Sequence, residues 1–121
     1  MFPFPGRRER LSVREAHART TGRRAPAVLL DVRSQAEWTL GHAPGAVHTP
    51  LTDLIAGAAL PPAARDRPLV VICRSGQRSQ QAVELLVERG ADAADVEGGM
   101  NAWAAAGHAV VDEHGNIGAT A

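Results

Sequence analysis

The chain has 121 residues, the length of one domain, and its 45% hydrophobic and 21% charged residues suffice for an ordinary core. Its formal net charge is zero and its pI is near 7.0, which argues against a bulk electrostatic binder of nucleic acid or of a membrane surface. The single cysteine excludes an internal disulfide framework and any zinc site built on several thiolates.

In chain order, residues 1–8 are Pro- and Arg-rich and read as an N-terminal arm, 9–111 as the domain, and 112–121, polar and Gly-containing, as a loose C-terminal tail. The arginines crowding the start (Arg7, Arg8, Arg10, Arg14, Arg19, Arg23, Arg24) read as a solvated face. The first residues lack the apolar core of a signal peptide, and no run reaches the length of a membrane span. With one cysteine and no disulfide, the expected location is cytoplasmic.

Leu11 is expected to end a short edge strand, and Ser12 with Glu15 forms a capping box for a helix through Arg19. Ala27 to Leu30 is a short apolar run suited to a strand buried on both faces. Ser34 can cap a helix over Gln35 to Leu40, with Glu37 as the box partner. A loop over Gly41 to Gly45, a brief strand over Ala46 to His48 and a weak helix over Thr52 to Ala58 follow. Pro61-Pro62 breaks the chain before a polar connector. Leu69 to Ile72 is the clearest strand. Beyond a polar loop, Ala82, Val83, Leu86 and Val87 share one helical face, and Gly90 stops that helix. Ala93 to Val96 reads as the last strand, Gly98-Gly99 as a sharp turn and Met100 to Ala106 as the last helix, with Val110-Val111 as a short extended piece. Short apolar strands alternating with helices predict an α/β fold, a parallel sheet covered on both faces.

In such sheets ligands sit at the carboxyl ends of strands, and Cys73 lies at one, just past Ile72. Cys73-Arg74-Ser75-Gly76-Gln77-Arg78-Ser79 then runs from strand through a tight loop into a helix. Loop amides, the helix N-terminus and the charges of Arg74 and Arg78 all favour a negative sulfur, or a negative group carried on it. A buried, inert cysteine would not need such neighbours. Two chemistries compete for this loop: a phosphate held after attack by the thiolate, or a persulfide. Only four residues separate Cys73 from Arg78. Cysteine-based phosphatase loops have one residue more, and a tetrahedral phosphate needs the wider ring of donors.

Three stretches together resemble the single-domain rhodaneses, the thiosulfate or persulfide sulfurtransferases. They are Leu30-Asp31-Val32-Arg33-Ser34-Gln35-Ala36-Glu37-Trp38 with Gly41-His42-Ala43-Pro44-Gly45-Ala46, the Cys73–Ser79 loop, and Glu97-Gly98-Gly99-Met100-Asn101-Ala102-Trp103. The resemblance covers about residues 9–108. It implies a three-layer α/β/α domain with a five-stranded parallel sheet. It also implies a two-step cycle in which Cys73 takes a sulfane sulfur and hands it to cyanide or a thiol, a protein thiol included. No metal or organic cofactor is implied, and neither nucleic acid nor membrane is an expected partner. Ala43 stands where the family often has a larger aliphatic residue, and His48-Thr49 where an Asn and an aliphatic are common.

Within this frame Arg74, Ser75, Gly76, Gln77, Arg78 and Ser79 are the expected substrate-binding and persulfide-stabilising loop around the catalytic Cys73. Arg74 is expected to meet an anionic donor, Arg78 to brace the loop on Asp31 or Glu37, and Ser79 to cap the helix. Asp31, Arg33, Glu37 and His42 are expected to support the site, with Arg33 and Glu37 as an ion pair and His42 as a loop-fixing hydrogen-bonder. His17, His108 and His114 read as surface residues, and Trp38 and Trp103 as packing. Two other readings stand beside sulfur transfer: a phosphatase or arsenate reductase on the same scaffold, and a rhodanese-like binding or sulfur-carrier module.

Overall fold

Five short strands and five helices alternate along the chain in the computed structural model, which describes residues 9–120. The expected arm over residues 1–8 lies outside the described residues. The elements are β1 (Arg10–Leu11), α1 (Val13–Thr20), β2 (Val28–Asp31), α2 (Gln35–Leu40), β3 (Val47–His48), α3 (Leu51–Ile55), β4 (Leu69–Ile72), α4 (Arg78–Glu88), β5 (Ala93–Val96) and α5 (Gly99–Ala105), with a 3-10 turn over Pro62–Ala64. Both capping boxes form: Ser12 and Ser34 accept from the amides of Glu15 and Glu37, whose carboxylates accept from the cap amides.

The strands make one all-parallel sheet in the order β1-β5-β4-β2-β3. β2 and β4 are buried at every position, so each must cover two faces. Their side chains alternate accordingly. Val28, Leu30, Leu69 and Val71 pack with Leu51 and Leu54 of α3 and Ala82, Val83 and Leu86 of α4. Leu29, Val70 and Ile72 pack on the other face with Ala16 of α1 and Met100 and Trp103 of α5. The result is the expected α/β/α layering. From β2 the chain moves outward to β3 and then returns to the other side of β2 as β4. The crevice created by that reversal lies at the carboxyl ends of β2 and β4, where Val32 and Cys73 follow their strands.

Three sequence expectations outside the Cys73 loop and α2 need correction. Residues 112–120 are not a loose tail: Val111 bridges both His42 and Ile117, and the Gly118 and Ala119 amides donate to Val110 and Leu40 carbonyls at 3.0 Å each. Asp112 holds the turn by accepting from the His114 and Asn116 amides at 2.9 Å each, so the polar composition is that of a turn. Its return past α2 needs small residues, since a Cβ on Gly118 would sit 2.9 Å from the Gly41 Cα. His17 and His108 are not plain surface residues either: their rings stack at 4.1 Å and both tilt against Trp103. Third, Arg10 does not belong to a solvated face; it is part of the site described next.

Candidate active site

Cys73 leaves the end of β4 on the side of α4 and is 1% exposed. Among the described residues its sulfur has two hydrogen-bonding neighbours. The Gly76 amide donates to Sγ at 3.1 Å, and Sγ faces the Ser79 hydroxyl at 3.4 Å. The loop can curl this tightly because Gly76 has φ +103, a backbone conformation open to glycine. Ser79 lies inside the first turn of α4 and is fully buried, so it does not cap the helix as expected. The cap position is Gln77, which is exposed and makes no side-chain cap bond. Ser79 instead turns its hydroxyl between Cys73 and the Asp95 carboxylate, donating to Oδ2 at 3.1 Å. Ser75 and Arg74 are exposed, and Arg74 forms no ion pair among the described residues.

Arg78 braces the loop from outside. Its guanidinium meets both Glu37 carboxylate oxygens, at 2.5 and 2.9 Å, in a two-pronged, charge-assisted pair. That contact, against the cost of partial burial, holds the Glu37 pKa down from its ordinary 4.5 to about 2, helped by the Ser34 cap donors. The same hydrogen bonds hold the Arg78 pKa above its ordinary value.

The expected pair between Arg33 and Glu37 is not formed. Arg33 is completely buried and folds back on Asp31, donating through Nε and Nη2 at 2.7–3.1 Å, while Nη2 also reaches the Gly41 carbonyl at 2.7 Å. A guanidinium without water needs several acceptors, and Asp31 and Gly41 supply them at the strand end. Glu37, on the more open side of α2, is thereby left for Arg78. His42 Nδ1 donates to the Trp38 carbonyl at 2.9 Å, and the ring stacks on Trp38 at 3.6 Å. His48 stacks on the same Trp38 and bonds the Arg33 carbonyl through Nε2 at 2.8 Å. Asp31, Arg33, Glu37 and His42 therefore form one block around α2. It meets the Cys73 loop through the Glu37–Arg78 pair.

Three residues of the site, Arg10, Asp95 and Gln80, escape sequence reasoning, and Gly99, read there as part of a turn, joins them. Arg10 binds both oxygens of Asp95 at 3.0–3.3 Å and bonds the Gly76 carbonyl through Nη2 at 3.2 Å. Asp95 is 1% exposed, and Arg10 is the cation paired with it. Its hydrogen bonds hold the Arg10 pKa above the ordinary value, despite some burial. Gln80 Nε2 donates to the same Gly76 carbonyl at 2.7 Å. Gly99, at φ +54, lies directly on the loop: a Cβ there would fall 2.7 Å from the Arg74 carbonyl carbon. The next two amides, of Met100 and Asn101, donate to the Cys73 and Arg74 carbonyls at 2.7 and 3.0 Å. The one available signal was an acidic residue, Asp95, inside an otherwise apolar strand run.

A cavity of about 730 Å³ opens at the opposite end of the sheet, by Leu69 and Asp92, and takes in none of these groups. Among the described residues no cluster of three or more His, Cys, Asp or Glu could hold a metal ion. No helix among them is long and apolar enough to cross a membrane.

The family model for the rhodanese-like domain matches residues 12–106. The chain belongs to the rhodanese-like family. Solved structures agree. A rhodanese-related protein from Thermoplasma volcanium is 29% identical over 85% of this chain and 97% of its own, with TM-score 0.71. A Rhodopseudomonas palustris protein of unknown function, described as a possible tyrosine phosphatase, is 27% identical over 85% of this chain and 84% of its own, with TM-score 0.72. A thiosulfate sulfurtransferase from Pseudomonas aeruginosa is 25% identical over 94% of this chain, with TM-score 0.74. This chain spans 22% of that protein's length. This rhodanese-like domain thus shares its fold with proteins described by two different chemistries.

Proposed function

We propose that the protein is a sulfurtransferase that carries a sulfane sulfur on Cys73, from thiosulfate or a persulfide to a thiol or cyanide. One observation carries this reading: Arg78, which closes the loop, is occupied by Glu37, while the sulfur is met by one amide and one hydroxyl. A phosphatase needs its loop arginine on the three oxygens of a transferring phosphate. A single terminal sulfur asks for fewer donors in a tighter ring.

In the first step the Cys73 thiolate attacks the outer sulfur of thiosulfate. The bond between the two thiosulfate sulfurs breaks, and sulfite leaves with its electron pair. In the second step an acceptor thiolate attacks the outer persulfide sulfur, and Cys73 leaves as thiolate. No redox partner enters, since each step exchanges one sulfur–sulfur bond for another. With cyanide, the sulfur leaves as thiocyanate. The Gly76 amide and Ser79 hydroxyl hold negative charge on Cys73 before and after transfer. Exposed Arg74 meets the anionic donor. A nucleophile that must stay reduced fits a cytoplasmic setting.

Steady-state kinetics test the assignment. The expected result is thiocyanate formation with parallel double-reciprocal lines, abolished in Cys73→Ala. Turnover of an aryl phosphate with no thiocyanate would establish the phosphatase reading suggested by the Rhodopseudomonas relative. Arg74→Ala is expected to slow loading from thiosulfate about tenfold and to leave unloading to a thiol nearly unchanged, as expected for loss of one charge facing the donor. Equal slowing of both half-reactions would remove the donor-binding role.

A further inference from the structure

The β1/β5 flank of the loop holds two charges that sulfur transfer as described does not use. Asp95 is buried, yet it reaches the nucleophile through one intervening atom group: its Oδ2 accepts from the Ser79 hydroxyl at 3.1 Å, and that hydroxyl oxygen faces Cys73 Sγ at 3.4 Å. Ser79 has a single proton. While it points to Asp95, the oxygen presents only lone pairs to the sulfur and accepts from a thiol S–H. A thiolate or persulfide anion has no proton to give and needs the hydroxyl turned the other way. Asp95 and the ionised sulfur therefore compete for one hydrogen. Asp95 also places a negative charge within about 6.5 Å of the sulfur along this chain of contacts, a distance at which like charge raises a thiol's ionisation pH. Arg10 acts in the opposite sense. It neutralises Asp95 through three contacts and pins Gly76, whose amide donates to Sγ, by holding the Gly76 carbonyl.

We propose that Arg10 and Asp95 are opposed positioning residues which, through the Ser79 hydroxyl and the Gly76 peptide, set the pH at which Cys73 becomes a thiolate. Asp95 favours the thiol and Arg10 favours the thiolate. On ionisation the sulfur's proton goes to water; Ser79 keeps its own proton and turns it from Asp95 to the sulfur. Asp95 remains neutralised by Arg10. The other charged groups around the sulfur sit differently. Arg78 of α4 is spent on Glu37 of α2, Asp31 at the end of β2 is spent on Arg33, and Arg74 of the loop is exposed to solvent.

The proposal takes Cys73 as the reacting atom from the proposed function, but its test needs no sulfur transfer. The chain has one cysteine and no tyrosine, so the ultraviolet absorbance of a thiolate reports Cys73 alone. Titrating that absorbance in Asp95→Asn is expected to lower the midpoint by about one pH unit, the effect of removing one nearby charge. Arg10→Gln is expected to raise it by a similar amount. In a Ser79→Ala background the Asp95→Asn shift should fall to half or less, because the hydroxyl is gone. A purely structural brace predicts lower activity in each variant with unmoved midpoints. Midpoints that stay put, or move in the same direction in both variants, overturn the proposal. If Asp95→Asn does not fold, Arg10→Gln decides alone, since Arg10 is partly exposed at a sheet edge: a midpoint that does not rise contradicts the proposal. Opposite shifts together with failure to load sulfur would count against the proposed function and leave this inference standing.

Discussion

The Cys73 loop is held between two ion pairs of different construction. Asp31–Arg33 is sealed, with both side chains completely buried and only two positions apart in the chain. Arg10–Asp95 joins residues 85 positions apart, and its arginine is 35% exposed. The sealed pair touches no atom of the nucleophile. It fixes the Gly41 loop and the start of α2, and its side chains reach the Cys73 loop through Glu37 and Arg78. The open pair touches Gly76 and, through Ser79, the sulfur itself. One flank therefore secures the fold at the site, and the other is placed to adjust the chemistry.

That contrast can be broken most sharply at Asp31. Asp31→Ala leaves the Arg33 guanidinium buried without its carboxylate, and a loss of about 3–5 kcal/mol is expected in urea unfolding. A loss under 1 kcal/mol would mean that the sealed pair is not holding the fold. Gly99→Ala comes next. Its Cβ would press on the backbone of Arg74 at a positive φ, so about 1–3 kcal/mol of strain is expected together with slower sulfur loading. Unchanged loading would show that the α5 start does not position the loop.

The link between the flank of α2 and the loop has a pH signature. The Glu37 carboxyl sits at about 2 in the folded protein against an ordinary 4.5. A depressed acid contributes stability that is complete above its unfolded value and disappears as pH falls through the folded one. Unfolding free energy should therefore drop between about pH 4.5 and 2, and Glu37→Gln should flatten that drop. An equally steep acid limb in the variant would assign it to other groups. The smallest effect is expected at Thr49, whose buried Oγ1 finds no hydrogen-bond partner among the described residues. Thr49→Val keeps the shape and removes the orphan hydroxyl, so a gain of about 1 kcal/mol is expected in the melting transition. Destabilisation would imply that the hydroxyl is satisfied in solution.

The same contrast explains what could be read from the residues in order. Ser34 with Glu37, and Ser12 with Glu15, are partners three residues apart, so their helices start where the sequence places them. The apolar runs of β2 and β4 announce strands buried on both faces. Cys73 at the end of β4 follows from the same pattern. The family resemblance pairs Arg33 with Glu37, but a fully buried guanidinium takes the acceptors that share its burial, and those are Asp31 and Gly41. Arg10 looked like one more arginine in a basic stretch. Its role depends on β1 pairing with β5, which sets Arg10 opposite Asp95, and no local pattern carries that register. Ser79 was expected to cap because serines at helix starts often do. The helix begins at Arg78, however, which puts the hydroxyl inward, beside the thiol.

The central claim, that Cys73 carries sulfur, is tested most directly by the intact mass of the purified protein after incubation with thiosulfate. The expected result is a gain of one sulfur atom, reversed by cyanide or a thiol and absent in Cys73→Ala. An unchanged mass after thiosulfate and after a persulfide donor, with the cysteine shown to be reduced, would contradict it.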